Sequence, residues 1–163
     1  MLSIKQMPAD ARVWIFQSNK VLSDVEVINI NKVGLDFVEG WKAHGASLKA
    51  SFDILYNRFI IIAVDEKQAS VGGCSIDSAI HFIKELEKQY NLNLLDRMQV
   101  AYRNGNEIFS CNLSEFEKLV AQNIVNESTI VFNNMVSTKS ELDSNWELDL
   151  KQSWQGRVLQ FKQ

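Results

Sequence analysis

The sequence predicts an α+β fold built on a ferredoxin-like βαββαβ core sheet, with a C-terminal hairpin-helix-strand extension. Three observations carry that expectation. Apolar runs of strand length alternate with two long amphipathic segments in the order strand, helix, strand, strand, helix, strand. At 163 residues and 46% hydrophobic content, the chain is long enough to bury one sizeable core and too short for a second independent one. One proline and seven glycines, with no low-complexity tract, mark no linker before the polar stretch 137–145. Residues 1–163 are therefore read as a single α+β domain, with 1–103 forming the core sheet and two helices and 104–163 the extension.

Each element has its own signal. Arg12-Val13-Trp14-Ile15-Phe16-Gln17 concentrates β-prone residues and ends at Ser18-Asn19, as a first strand should. The first helix opens at Ser23-Asp24-Val25-Glu26, whose S-x-x-E spacing lets serine and glutamate satisfy each other's free amides. Val27, Ile30, Phe37, Val38 and Trp41 form its inward stripe. Leu48, Ala50, Phe52, Ile54 and Tyr56 alternate with polar residues at the strand period, and Asn57-Arg58 turns this strand into the apolar run Phe59 to Val64. After Gly72-Gly73, Ile76, Ile80, Ile83 and Tyr90 line one side of a second helix, and Met98 to Tyr102 resumes strand character. In the extension, Asn104-Gly105 signals a hairpin, Ser114-x-x-Glu117 a third helix, and Thr129 to Phe132 and Trp146 to Leu150 further strands.

Charge and composition narrow the functions. A net charge of −3 with dispersed lysines gives no general attraction to nucleic acid or to a membrane surface, and neither is expected as a partner. Residues 1–8 lack the basic-then-apolar pattern of a secretory signal, and the longest apolar run is strand-sized, so a cytoplasmic protein is expected. Two cysteines, Cys74 and Cys111, make neither a disulfide framework nor a metal-finger spacing. No metal site and no cofactor is assigned, since Asp65, Glu66, Asp77 and His81 follow no recognised ligand spacing.

The stretch with most chemistry in it is Val71-Gly72-Gly73-Cys74-Ser75-Ile76-Asp77. A thiolate at a helix start meets free N–H groups and a partial positive charge, so Cys74 is a candidate nucleophile. His44, in His44-Gly45 after the first helix, is the candidate base, and Asp77 the third catalytic candidate; Ser75 and Asp77 each also serve as helix caps without further assumption. Gly72, Gly73 and Ser75 offer amides to an anionic ligand, and Arg58 offers a compensating charge. Trp14 and Trp41 read as core residues, whereas Trp146 and Trp154 suit an aromatic binding surface.

Several stretches resemble a known group of proteins. Arg12 to Asn19, Trp41-Lys42-Ala43-His44-Gly45, Tyr56-Asn57-Arg58-Phe59, Gly73-Cys74-Ser75-Ile76-Asp77, Val131-Phe132-Asn133-Asn134 and Ser153-Trp154 are together similar to a family of small uncharacterised bacterial proteins that often carry the automatic label "ABC transporter ATPase". The resemblance spans nearly the whole chain and implies no established activity. The label's chemistry is disfavoured by the residues themselves: no glycine here is followed by lysine, so the phosphate-wrapping loop of ATP-binding proteins has no counterpart. The expectation is a non-enzymatic domain binding a small anionic ligand or a protein, with possible homo-oligomer formation through a sheet edge. The alternative is a thiol-dependent enzyme using Cys74 and His44.

Overall fold

The computed structural model describes residues 2–159 and has an α+β architecture. Its first half comprises β1 (Arg12–Gln17), α1 (Asp24–Glu39), β2 (Lys42–Ala43), β3 (Ala46–Ser47), β4 (Lys49–Leu55), β5 (Phe59–Asp65) and α2 (Gly73–Tyr90). The second half comprises β6 (Gln99–Asn104), β7 (Glu107–Asn112), α3 (Leu113–Ala121), β8 (Ile130–Phe132), α4 (Lys139–Asn145), β9 (Glu147–Asp149) and α5 (Trp154–Val158).

β1, β5 and β4 form one antiparallel sheet in that order, and β7, β6, β8 and β9 form a second. The strand period explains how they stack. Ile60, Ile62 and Val64 of β5 join Ile30 and Val38 of α1 and Ala79, Ile83 and Leu86 of α2 in one cluster. The alternate residues Phe59, Ile61 and Ala63 turn to the other face and meet Ala101 and Phe132 of the second sheet and Trp146, which precedes β9. On the far side of that sheet, Val100, Tyr102 and Val131 pack on Phe116 of α3. The layers therefore run helix, sheet, sheet, helix, and β5 is buried on both faces, which is why its sequence is apolar without alternation.

The βαββα portion follows the expected path, but the expected fourth core strand does not. β6 pairs with β7 along six residue pairs and with β8 at Tyr102↔Val131, in the second sheet rather than beside β1. The hairpin to β7 closes locally and takes one edge of β6 before any distant pairing is needed. The place beside β1 is partly taken by the connection between β8 and β9, where Val13 N–H donates to Ser137 C=O at 3.0 Å and Lys139 N–H to Ala11 C=O at 2.9 Å. That connection carries α4, which is capped by Thr138, whose hydroxyl accepts from Glu141 N–H. The polar stretch 137–145 is thus a helix and a clasp rather than a linker. At α3 the cap is Asn112, not Ser114: its Oδ1 accepts from Glu115 N–H at 2.8 Å.

Candidate functional site

The diglycine segment does open α2. Gly72 is its extended N-cap and brings no side chain, so the first turn, Gly73, Cys74 and Ser75, is capped by no residue of its own. Cys74 and Asp77 are exposed. Ser75 is buried and structural: its hydroxyl donates to Lys42 C=O at 2.8 Å, while its own C=O accepts from Trp41 Nε1 at 2.9 Å. His44 and Gly45 form the turn between β2 and β3, with φ of 51° and 80°, the left-handed pair that a two-residue hairpin requires. This turn brings His44 to α2: a Cβ built on Gly72 would lie 3.6 Å from His44 Nε2.

Arg58 stands apart from that group. It precedes β5, and α2 follows the other end of the strand, about 20 Å away at strand rise. Its side chain is only 6% exposed, and Nη1 donates to Ser110 Oγ at 2.6 Å and Ser18 C=O at 3.4 Å. Arg58 thereby fastens the β7 strand to the β4–β5 turn, and burial draws its guanidinium pKa below the usual value. His81 pairs with Glu85 at 3.9 Å, Asp65 with Lys49 at 3.7 Å, and Glu66 accepts from Val71 N–H. Among the described residues no group of three or more His, Cys, Asp or Glu is placed to hold a metal ion.

A different place has the stronger claim to be a binding site. Beyond the outer edge of β1, between the two sheets, lies a cavity of about 160 Å³. Leu94 and Leu95 after α2, Phe132 of β8, Asn134, and Trp154 and Gln155 of α5 enclose it against Ile15, Phe16 and Gln17. Residues of three separate stretches, 12–19, 131–134 and 153–154, meet here.

The polar groups of this wall are ordered by one donor that can point only one way. Trp146 Nε1 donates to Asn134 Oδ1 at 2.9 Å, because an indole N–H never accepts. Asn134 therefore turns its Nδ2 to Gln17 Oε1, at 2.7 Å. Gln17 Nε2 is left a buried donor with no partner. Gln155 Nε2 donates to Phe132 C=O at 3.2 Å, which leaves Oε1, a buried acceptor with no partner. The two residues are 6% and 1% exposed. A buried polar atom without a partner costs about 1–3 kcal/mol, so these two are expensive to leave as they are. None of Gln17, Asn134 and Gln155 is a candidate site residue in the sequence; Gln17 reads as the last residue of a strand.

Trp146 is buried, not part of an open aromatic surface. Its ring lies against Phe59, Phe132 and Tyr56, with centroids 4.9, 5.1 and 5.7 Å away. Arg103 covers Tyr56 and Phe132 and donates from Nε to Glu147 at 2.6 Å, while the Tyr56 hydroxyl donates to the same carboxylate at 2.8 Å. Glu147 and burial together push the Tyr56 hydroxyl pKa up, burial being the larger cause. Trp154 does line the cavity. No helix among the described residues is long and apolar enough to cross a membrane. No protein-family model, curated protein or solved structure matches the chain.

Proposed function

We propose that the protein is a non-enzymatic binding domain and that the cavity beside β1 is its ligand site. The single observation behind this reading is the pair of unpartnered amide atoms, Gln17 Nε2 and Gln155 Oε1, on residues that line one cavity. A ligand that offers the reverse pair, as a carboxamide does, would meet them as the two side chains turn into the cavity, and each hydrogen bond then formed would relieve a standing penalty. Gln17, Asn134 and Gln155 are neutral amides with no proton to give or take, which suits recognition rather than acid–base chemistry. The reading includes a reducing, cytoplasmic setting for the two free thiols. It also treats the βαββα portion as a ferredoxin-like half whose fourth strand position has been given over to the site.

Benzamide, titrated into ¹⁵N-labelled protein, tests it. The side-chain NH₂ signals of Gln17 and Asn134 should shift together, and Gln155→Met should weaken the response several-fold. Shifts confined to residues of α2, with the cavity signals unmoved, would overturn the assignment.

A second reading, the thiol-dependent enzyme, is favoured by one observation, the approach of His44 Nε2 to the start of α2. It requires the alkylation rate of Cys74 to titrate with a half-point well below about 8.5 and to lose that behaviour in His44→Ala. An ordinary thiol titration sinks it.

A further inference from the structure

Arg58 is a buried cation without a counter-charge. It follows Tyr56 and Asn57, whose left-handed φ of 55° and 51° close the turn between β4 and β5, and its side chain runs from there to β7. Nη1 uses its hydrogens on Ser110 and Ser18, and Nε is sealed in the fold with no partner. Nη2 has no partner among the described residues either, but it is not sealed. Nor does a carboxylate pair with Arg58: among the described residues Glu147 is held by Arg103, and the other ion pairs belong to lysines or to His81. A guanidinium taken out of water with no opposite charge beside it is costly, and an anion from outside would offset that cost. Arg58 lines an open groove of about 570 Å³ between the β4–β5 turn and the β6–β7 hairpin. Much of the remaining wall is apolar and faces solvent, with Val21 57%, Tyr56 49% and Phe109 39% exposed.

We propose that this groove is a second binding site, separate from the cavity beside β1, and that it takes a small monocarboxylate with an apolar body. The carboxylate accepts from Arg58 Nη2, a charge-assisted hydrogen bond, and supplies the missing counter-charge. The apolar body lies against Val21, Tyr56 and Phe109, which are otherwise left to water. A single negative charge is specified. Arg103, the other cation of the wall, is already neutralised by Glu147, and Glu107 in the same wall repels any further negative charge.

Benzoate, benzamide and acetate, each titrated into the ¹⁵N-labelled full chain, separate the charge from the apolar body. Benzoate should shift the Arg58 Nε–H signal and the backbone amides of Val21 and Phe109 together. Benzamide lacks the charge and acetate the ring, so each should bind there about tenfold more weakly. Arg58→Met should abolish the benzoate response. Because that variant also removes the tie to Ser110, Val21→Glu provides a second test at an exposed position: its charge should weaken benzoate binding about fivefold and leave the unfolding midpoint unchanged. Benzamide or acetate binding the groove as tightly as benzoate would overturn the site, as would a benzoate response that survives both variants. Benzoate shifts confined to the side chains of Gln17 and Asn134 would overturn it too, while leaving the cavity beside β1 as the ligand site.

Discussion

Two polar sites lie at different places on the first sheet, and they differ in what their polar atoms lack. At the start of α2, the reactive-looking groups come from neighbours in sequence, and Cys74 and Asp77 stand in solvent, which can satisfy them. At the β1 edge, the polar atoms come from Gln17, Asn134 and Gln155, far apart in the chain, and two of them are sealed from solvent without partners. Prominence in a sequence and demand for a ligand are therefore separate properties. Burial creates the demand, because only a buried polar group forfeits water's hydrogen bonds.

If the cavity wall is the more tightly built of the two, glycine substitutions should separate the regions most. A Cβ on Gly156 would come within 2.1 Å of the Leu150 carbonyl oxygen, whereas one on Gly73 meets nothing within 4 Å. Gly156→Ala should cost about 3 kcal/mol in urea unfolding and Gly73→Ala no more than about 0.5 kcal/mol. Equal costs would break the comparison. Next in size, Asn134→Leu strands both Trp146 Nε1 and Gln17 Oε1 and should cost about 2 kcal/mol, against about 1 kcal/mol for Ser75→Ala, which removes one hydrogen bond at α2.

The two thiols sharpen the contrast without touching stability. Burial, with a smaller contribution from the Glu115 carboxylate, pushes the Cys111 thiol up to about 11. Iodoacetamide at pH 8, followed by mass spectrometry, should therefore modify the exposed Cys74 first, and Cys111 should react only as the pH approaches its own pKa. Cys74→Ser should shift the unfolding free energy by less than about 0.5 kcal/mol. The smallest effect is a control lying in neither site. Asp53 accepts from Ile4 N–H at 2.8 Å, yet burial outweighs that bond and raises its carboxyl pKa. The folded state then holds the proton more tightly than the unfolded chain does, so ionised Asp53 weakens the fold at neutral pH, and acidification through its folded pKa relieves that penalty. Asp53→Asn should raise stability at pH 7, with the gain shrinking toward pH 4; a gain that grows on acidification would reverse the sign.

Much of the fold is legible because its signals are local. Arg12–Gln17 is a strand as read, Ser23 and Glu26 form the reciprocal cap, and Gly72 precedes α2. Ile30, Val38, Ile83 and Leu86 point inward because helical spacing leaves them no other face. What is not legible is non-local. Nothing in Met98 to Tyr102 says that β6 will prefer β7 and β8 to β1, and nothing in 137–145 says that this stretch will clasp β1. Of the residues first suggested as a site, His44 does approach Gly72, while Arg58 sits at the opposite end of β5. Gln17, Asn134 and Gln155 carry no motif; a glutamine following the apolar run Val13 to Phe16 is a hint that becomes informative only once its partners are known.

The clasp also bears on how the protein is made. β1 leaves the ribosome early, but its outer edge stays unpaired until Ser137–Lys139 has been synthesised and folded back onto it. Between those events the edge is available to any extended segment, the nascent chain's own or another's. Synthesis interrupted before α4 would leave β1 without this clasp on its outer edge.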